Sequence, residues 1–170
     1  MYKIGEYIVK PSSGVCRVDN IMHLDMSGID RNRLYYLLVP VNDEKGKIYY
    51  PVDSEAQQMR KVMTSQEAYE LIERIPDIPE ISISNDKMRE QKYKEVSKSI
   101  EPESLLSIIK TTYLRKMGRL EKGKKNTVAD ENYLNLAEKM LFSELCLVLG
   151  KNKDEVHNLI AESVNKRGTN

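Results

Sequence analysis

The sequence predicts an α+β chain of two domains, a small antiparallel SH3/Tudor-like β barrel at the N-terminus followed by an all-α helical domain. Three observations carry that expectation. Six of the ten tyrosines lie in the first fifty residues, among short runs of Val, Ile and Leu broken by Gly, Pro and Asn turns. Near residue 64 the apolar spacing changes from alternation to a helical period. Charge is also unevenly divided: the net is +1 over 170 residues, yet residues 87–125 hold twelve basic side chains against five acidic ones, so that stretch carries +7 and the rest −6.

The strands come first. Residues 7–9, 15–22, 34–41, 47–50 and 59–63 are rich in β-branched residues, Tyr and Leu. Turn chemistry separates them at Pro11-Ser12-Ser13-Gly14, Ser27-Gly28 and Asn42-Asp43-Glu44-Lys45-Gly46. Five short strands with tight turns suit a small barrel. Pro40 and Pro51 cannot donate to a ladder and are expected at strand ends, bulges or edges. An edge strand with free backbone groups is a docking surface for another sheet. The first domain is assigned to residues 1–63.

Residues 64–80 read as a capped helix and a stiff connector. Thr64-Ser65-Gln66-Glu67 has the form of a capping box, in which Thr64 accepts from the Glu67 amide and the Glu67 carboxylate reaches back. Ala68, Tyr69, Leu71, Ile72 and Ile75 continue at helical spacing until Pro76, and Pro79 stiffens the connector. The second domain, residues 81–170, opens with a polar helix over 86–100 whose thin apolar face is Met88, Tyr93, Val96 and Ile100. Pro102 suits the first turn of the next helix. Leu105, Leu106, Ile109, Tyr113, Met117 and Leu120 line one side of that helix, leaving Lys110, Arg115, Lys116 and Arg119 on its surface until Gly123 stops it. Thr127-Val128-Ala129-Asp130 opens the most apolar helix, with Tyr133, Leu136, Ala137, Met140, Leu141, Leu145 and Val148 as its core face and Gly150 as its end. A last helix, capped by Asn152 to Glu155, packs Val156, Leu159, Ile160 and Val164, and the tail 165–170 is expected to fray.

Several function classes have no support in these residues. No apolar run approaches membrane-spanning length, and Met1-Tyr2-Lys3-Ile4-Gly5-Glu6 does not read as a signal peptide, so the expected compartment is the cytoplasm. Cys16 and Cys146 fall in different domains with no Cys-x-x-Cys pair, and are expected as reduced, packed thiols. His23 and His157, one per domain, have no metal-ligand spacing to Cys or Asp. Gly123-Lys124-Lys125 lacks the upstream glycine of a phosphate loop. The acid pairs Asp130-Glu131 and Asp154-Glu155 stand at helix starts, where the helix dipole accounts for them. No catalytic residue, metal, cofactor or small-molecule substrate is expected. A concentrated positive stretch attracts phosphate, which makes nucleic acid the first partner to consider; a set of solvated helical faces accounts for the same charges.

Read in order, the motifs resemble one family. Gly5-Glu6-Tyr7-Ile8-Val9-Lys10-Pro11, then Gly14-Val15, then Pro51 after the fourth strand, are similar to the opening of the CarD/CdnL transcription regulators. Their N-terminal module is similar to the RNA-polymerase-interacting domain of the transcription-repair coupling translocase. Leu120-Glu121-Lys122-Gly123-Lys124-Lys125 resembles the family's Leu-x-x-Gly-Glu-Lys segment, and residues 137–149, with Ser143-Glu144-Leu145, resemble its core helix.

The resemblance implies a monomeric, bacterial regulator whose barrel docks on the RNA polymerase β subunit and whose helical domain contacts promoter DNA near the upstream edge of the open bubble, without base-specific readout. For the polymerase it points to His23, Lys47 and Tyr49, with packing an equal reading for Tyr49. For DNA it points to Lys92, Lys94, Lys124 and Lys125, alongside Arg115 and Lys116 from the basic stretch. The family's minor-groove Trp stands four residues before a Tyr-Lys pair. Tyr93-Lys94 matches that pair and puts Arg89 at the wedge position with Met88 beside it, but this chain has no Trp. An inserted Met can unstack a base step, and an Arg can read a narrow groove by charge. The alternative is an adaptor that binds polymerase while its basic helices form only a solvated surface.

Overall fold

A computed structural model of the chain describes residues 1–55 and 58–166. The chain divides into two compact units, Met1–Val62 and Met63–Asn170, each with its own core. The secondary structure is α+β, with strands confined to the first unit and α-helices to the second.

The strands are β1 (Tyr7–Lys10), β2 (Gly14–His23), β3 (Leu34–Pro40), β4 (Ile48–Pro51) and β5 (Arg60–Lys61). They form one antiparallel sheet in the order β4-β3-β2-β1-β5. The sequence suggests a closed barrel; the sheet is open, with β4 and β5 as its two edges. The fifth strand is only two residues long and pairs with β1 alone, too short a segment to complete a ring. Alternation puts Ile8, Cys16, Val18, Tyr36 and Leu38 on one face, where Met59, Ile21, Ile48 and Tyr50 pack with them. Tyr2 closes this core by donating its hydroxyl to the Met59 carbonyl at 3.0 Å, while its amide donates to the Tyr36 hydroxyl at 2.9 Å. Between Val18 and Asn20 the register shifts, so β2 carries a bulge.

The helices are α1 (Ser65–Glu73), α2 (Arg89–Ser97), α3 (Pro102–Glu121), α4 (Val128–Leu149) and α5 (Lys153–Asn165), with short 3-10 turns at Ile75–Asp77 and Asp86–Met88. The Thr64 capping box forms, and so does a second one at Asn152 and Glu155. Gly150 takes a left-handed conformation (φ 63°) at the end of α4, where its lack of a Cβ removes the usual cost. Ala68, Leu71 and Ile72 of α1 join Leu105, Leu106, Ile108 and Ile109 of α3, Met140, Leu141 and Leu145 of α4 and Val156 and Ile160 of α5 in a single core. The first helix therefore belongs to the helical unit. Ser163 of α5 donates to the Ile72 carbonyl at 2.6 Å, and Glu144 of α4 accepts the Met63 amide at 2.8 Å. Residues 167–170 of the tail expected to fray lie outside the described residues.

Three expectations for the helices change. Met88 does not join an apolar face; it precedes α2 and is exposed. Met117 and Leu120 are exposed as well, because the buried part of α3 ends at Thr112. Lys110, expected on the surface, is buried, and its ammonium donates to the carbonyls of Ile75, Pro76 and Ile78 at 2.9, 3.0 and 2.7 Å. Those carbonyls belong to the turn where Pro76 interrupts the helical run; Ile75 still accepts the Ile78 amide there, and the cation supplies further donors to the turn.

Candidate functional site

A site that grips phosphate needs exposed cations on a fixed frame. In the helical unit that frame is built around one carboxylate. Asp130 stands in the first turn of α4, fully buried, with Thr127 as the helix cap accepting from its amide at 3.1 Å. Tyr93, the one buried residue of α2, donates its hydroxyl to Asp130 Oδ1 at 2.8 Å, and Arg115 of α3 donates Nε to Oδ2 at 2.7 Å. Burial alone would raise the pKa of Asp130. Hydrogen bonds with Tyr93 and Thr127 and the Arg115 guanidinium outweigh it and hold the carboxyl below the usual aspartate range. Burial pushes the Tyr93 phenol up, with Arg89 opposing and Asp130 assisting, so it remains a donor at neutral pH. The ring of Tyr93 also packs at a tilt on Tyr133, centroids 5.5 Å apart. Three helices thus meet at a single acid.

Arg89 is drawn into the same frame. Its Nη2 donates to Asp86 Oδ1 at 2.8 Å and its Nη1 lies 3.4 Å from the Tyr93 hydroxyl, leaving the side chain 16% exposed. Arg119 donates Nε to the Lys125 carbonyl at 2.8 Å and so ties down the α3–α4 turn, which Gly123 opens at φ 70°. The cations at the surface of this frame include Lys92 and Lys94, flanking Tyr93 on α2, and Lys124 and Lys125 in the turn before α4. Lys116 is half-buried, and Met88 is 55% exposed at the start of α2.

Among the described residues β4 is an edge strand of the sheet, paired with β3. Tyr49 faces Leu37 in the register, while the neighbouring Tyr36–Tyr50 and Leu38–Ile48 pairs point into the core. Alternation therefore puts Tyr49, 40% exposed, on the outer face with Leu37, and Lys47 two residues earlier is exposed too. His23 ends β2 with Nδ1 3.2 Å from the Arg33 carbonyl, opposite Leu34 at the other end of β3. The structure brings Lys47 and Tyr49 to one edge and leaves His23 apart from them.

Two family models match the chain: the CarD-like/TRCF RID domain over residues 2–63 and the CarD, C-terminal domain over residues 79–161. The chain belongs to the CarD family. As a CarD-family protein it is a transcription regulator that interacts with RNA polymerase. A search of curated proteins gave no match. Among the described residues no group of three or more His, Cys, Asp and Glu is placed to hold a metal ion, and no helix is long and apolar enough to cross a membrane.

Sequence reasoning missed the parts of this CarD-family protein that hold its frame together. The helix dipole suffices to explain Asp130 in the sequence, yet it is the buried acceptor of two other helices. Lys110 reads as a surface charge, yet it is buried with backbone partners, as is Glu144. One signal for Lys110 is present: it is the lone charge between Glu103 and Arg115 in an otherwise apolar or hydroxylated run.

Proposed function

We propose that this CarD-family protein, acting as a monomer, docks on the polymerase β subunit through the outer face of β3–β4 and touches promoter DNA through its helical unit. The DNA contact is to the backbone, and it modulates formation or stability of the open complex. The observation that carries the reading is the sorting of the basic residues. Lys110 and Arg115 are consumed by internal acceptors and Arg89 by Asp86 and Tyr93, while Lys92, Lys94, Lys124 and Lys125, like Lys87, Lys98 and Lys122 of the same stretch, remain exposed. With about four phosphates engaged, contact by the helical unit alone is weak and falls steeply with salt. Tethering to polymerase raises its effective concentration. Lys47 and Tyr49 are the residues assigned to the polymerase face; His23, at the end of β2, stands apart from them. Met88, exposed beside an Arg89 that is turned inward, takes the wedge position.

A second reading has two observations in its favour. The chain has no Trp, and Arg89 is engaged with Asp86 and Tyr93. In that reading the protein is an adaptor that binds polymerase with no functional DNA contact. Association with promoter DNA, measured with and without RNA polymerase at two salt concentrations, separates the two. The bridging reading expects salt-sensitive DNA contact that appears only with polymerase, and is lost when Lys92, Lys94, Lys124 and Lys125 are replaced by Glu while polymerase binding persists. Polymerase binding with no DNA contribution at either salt concentration leaves the adaptor.

A further inference from the structure

Two of the four lysines assigned to DNA, Lys92 and Lys94, ride on a helix with little else to hold it. The sequence of α2, Arg89–Ser97, is polar throughout, with Tyr93 its one buried residue, and only Val96 and the nearby Ile100 pack partly against the core. No side chain caps its N-terminus. Four residues, 98–101, connect it to α3. A helix of this length and polarity is not stable by itself in water. What fixes it on the hairpin of α3 and α4 is the Tyr93 ring against Tyr133 and the hydroxyl on Asp130, with Arg89 closing over that hydroxyl from the Asp86 side. The acceptor is itself pinned by Arg115. The α3–α4 turn, in contrast, has an anchor of its own in Arg119 and Lys125.

We propose that Asp130 is a positioning residue for the DNA-facing surface: its carboxylate latches α2 onto the α3–α4 hairpin and so sets Lys92 and Lys94 in register with Lys124 and Lys125. The proposal rests on the bridging reading. Opening the latch releases α2 about its short connection to α3. Two of the four lysines then cease to act together with the other two, while the core of α3, α4 and α5 stays intact. The latch also accounts for a buried acid that contacts neither partner.

Tyr93→Phe tests this with the ring packing kept and only the hydroxyl removed; Asp130→Asn is the stronger variant. Glu131→Gln, one residue along and exposed, is the control. Amide hydrogen exchange on the full chain reads the latch directly. Exchange across residues 90–97 is expected to rise roughly tenfold or more in Tyr93→Phe, with much smaller changes in α3–α5, since local opening and global unfolding are separate processes. The salt dependence of polymerase-tethered DNA association reads the register. The slope of log affinity against log salt is expected to fall by about 2, the share of two phosphate contacts. Exchange in α2 that moves only with the whole domain overturns the latch. A loosened α2 with an unchanged salt slope overturns its role in DNA contact. Absence of DNA contact in the unsubstituted protein overturns this proposal and the bridging reading together, whereas either of the first two outcomes leaves bridging in place.

Discussion

At the scale of single residues, the helical unit depends on three buried charges, Lys110, Asp130 and Glu144. Lys110 serves three carbonyls around Pro76. Lys110→Met keeps the aliphatic stem and strips the donors, which takes the ammonium from the Pro76 and Ile78 carbonyls and leaves Ile75 with the Ile78 amide. The expected cost is about 2–4 kcal/mol, from the strength of hydrogen bonds to charged groups and the penalty for orphaned ones. Urea denaturation checks it through a lowered midpoint at unchanged slope. Asp130 predicts a pH effect with a definite sign. Its folded pKa lies below the ordinary 3.8, so the unfolded chain takes up the proton first as pH falls. The contribution of this carboxylate is complete above that ordinary value and is lost as pH drops through the lower, folded one. Asp130→Asn should therefore be less stable at pH 7 and show a shallower loss than the parent as pH falls below the ordinary aspartate value, read by denaturation at each pH. The cap Thr127 was legible from the sequence; the buried role of Asp130 three residues later was not, because its partners lie 15 and 37 positions away.

At the scale of elements, local signals and tertiary context divide cleanly. The box at Thr64 is set by four consecutive residues, and it forms as expected. Thr64→Ala should cost about 1 kcal/mol, measurable as a shift in thermal or urea midpoint of the helical unit. Gly150 and Pro102 likewise act where they stand. The apolar stripe of α3 misleads past Thr112, since periodicity says which face a residue takes and nothing about how far the neighbouring helices reach. The edge strand β4 gives the complementary test. Tyr49 is 40% exposed and outside the core, so Tyr49→Glu should alter stability by no more than about 0.5 kcal/mol. Polymerase binding should fall all the same. Strong destabilisation with binding preserved would make Tyr49 a packing residue instead.

At the scale of the whole molecule, two units with separate cores should melt as two transitions. Leu38→Ala, in the core of the sheet, should lower only one of them, by about 2–4 kcal/mol. Cys16 is a built-in reporter: burial pushes its thiol to about 11, so disulfide reagents should leave it unmodified until the sheet unfolds. Calorimetry and thiol labelling together should show Leu38→Ala exposing Cys16 at a lower temperature while the helical transition stays put. A single shared transition would mean that the two cores are coupled.

What the sequence by itself determined are the features set by near neighbours: the change of period at residue 64, the caps and stops, the excess of positive charge in residues 87–125, and the ordered motifs that mark a CarD-family protein. The tertiary structure alone decided that the sheet is open, that α1 belongs to the helical unit, and which cations face water. The physical reason is that a charge is buried or exposed according to acceptors brought to it from far along the chain. Arg115 meets Asp130, and Lys110 meets the carbonyls near Pro76, only after the helices have packed. Composition counts these cations with Lys92 and Lys124; folding separates them.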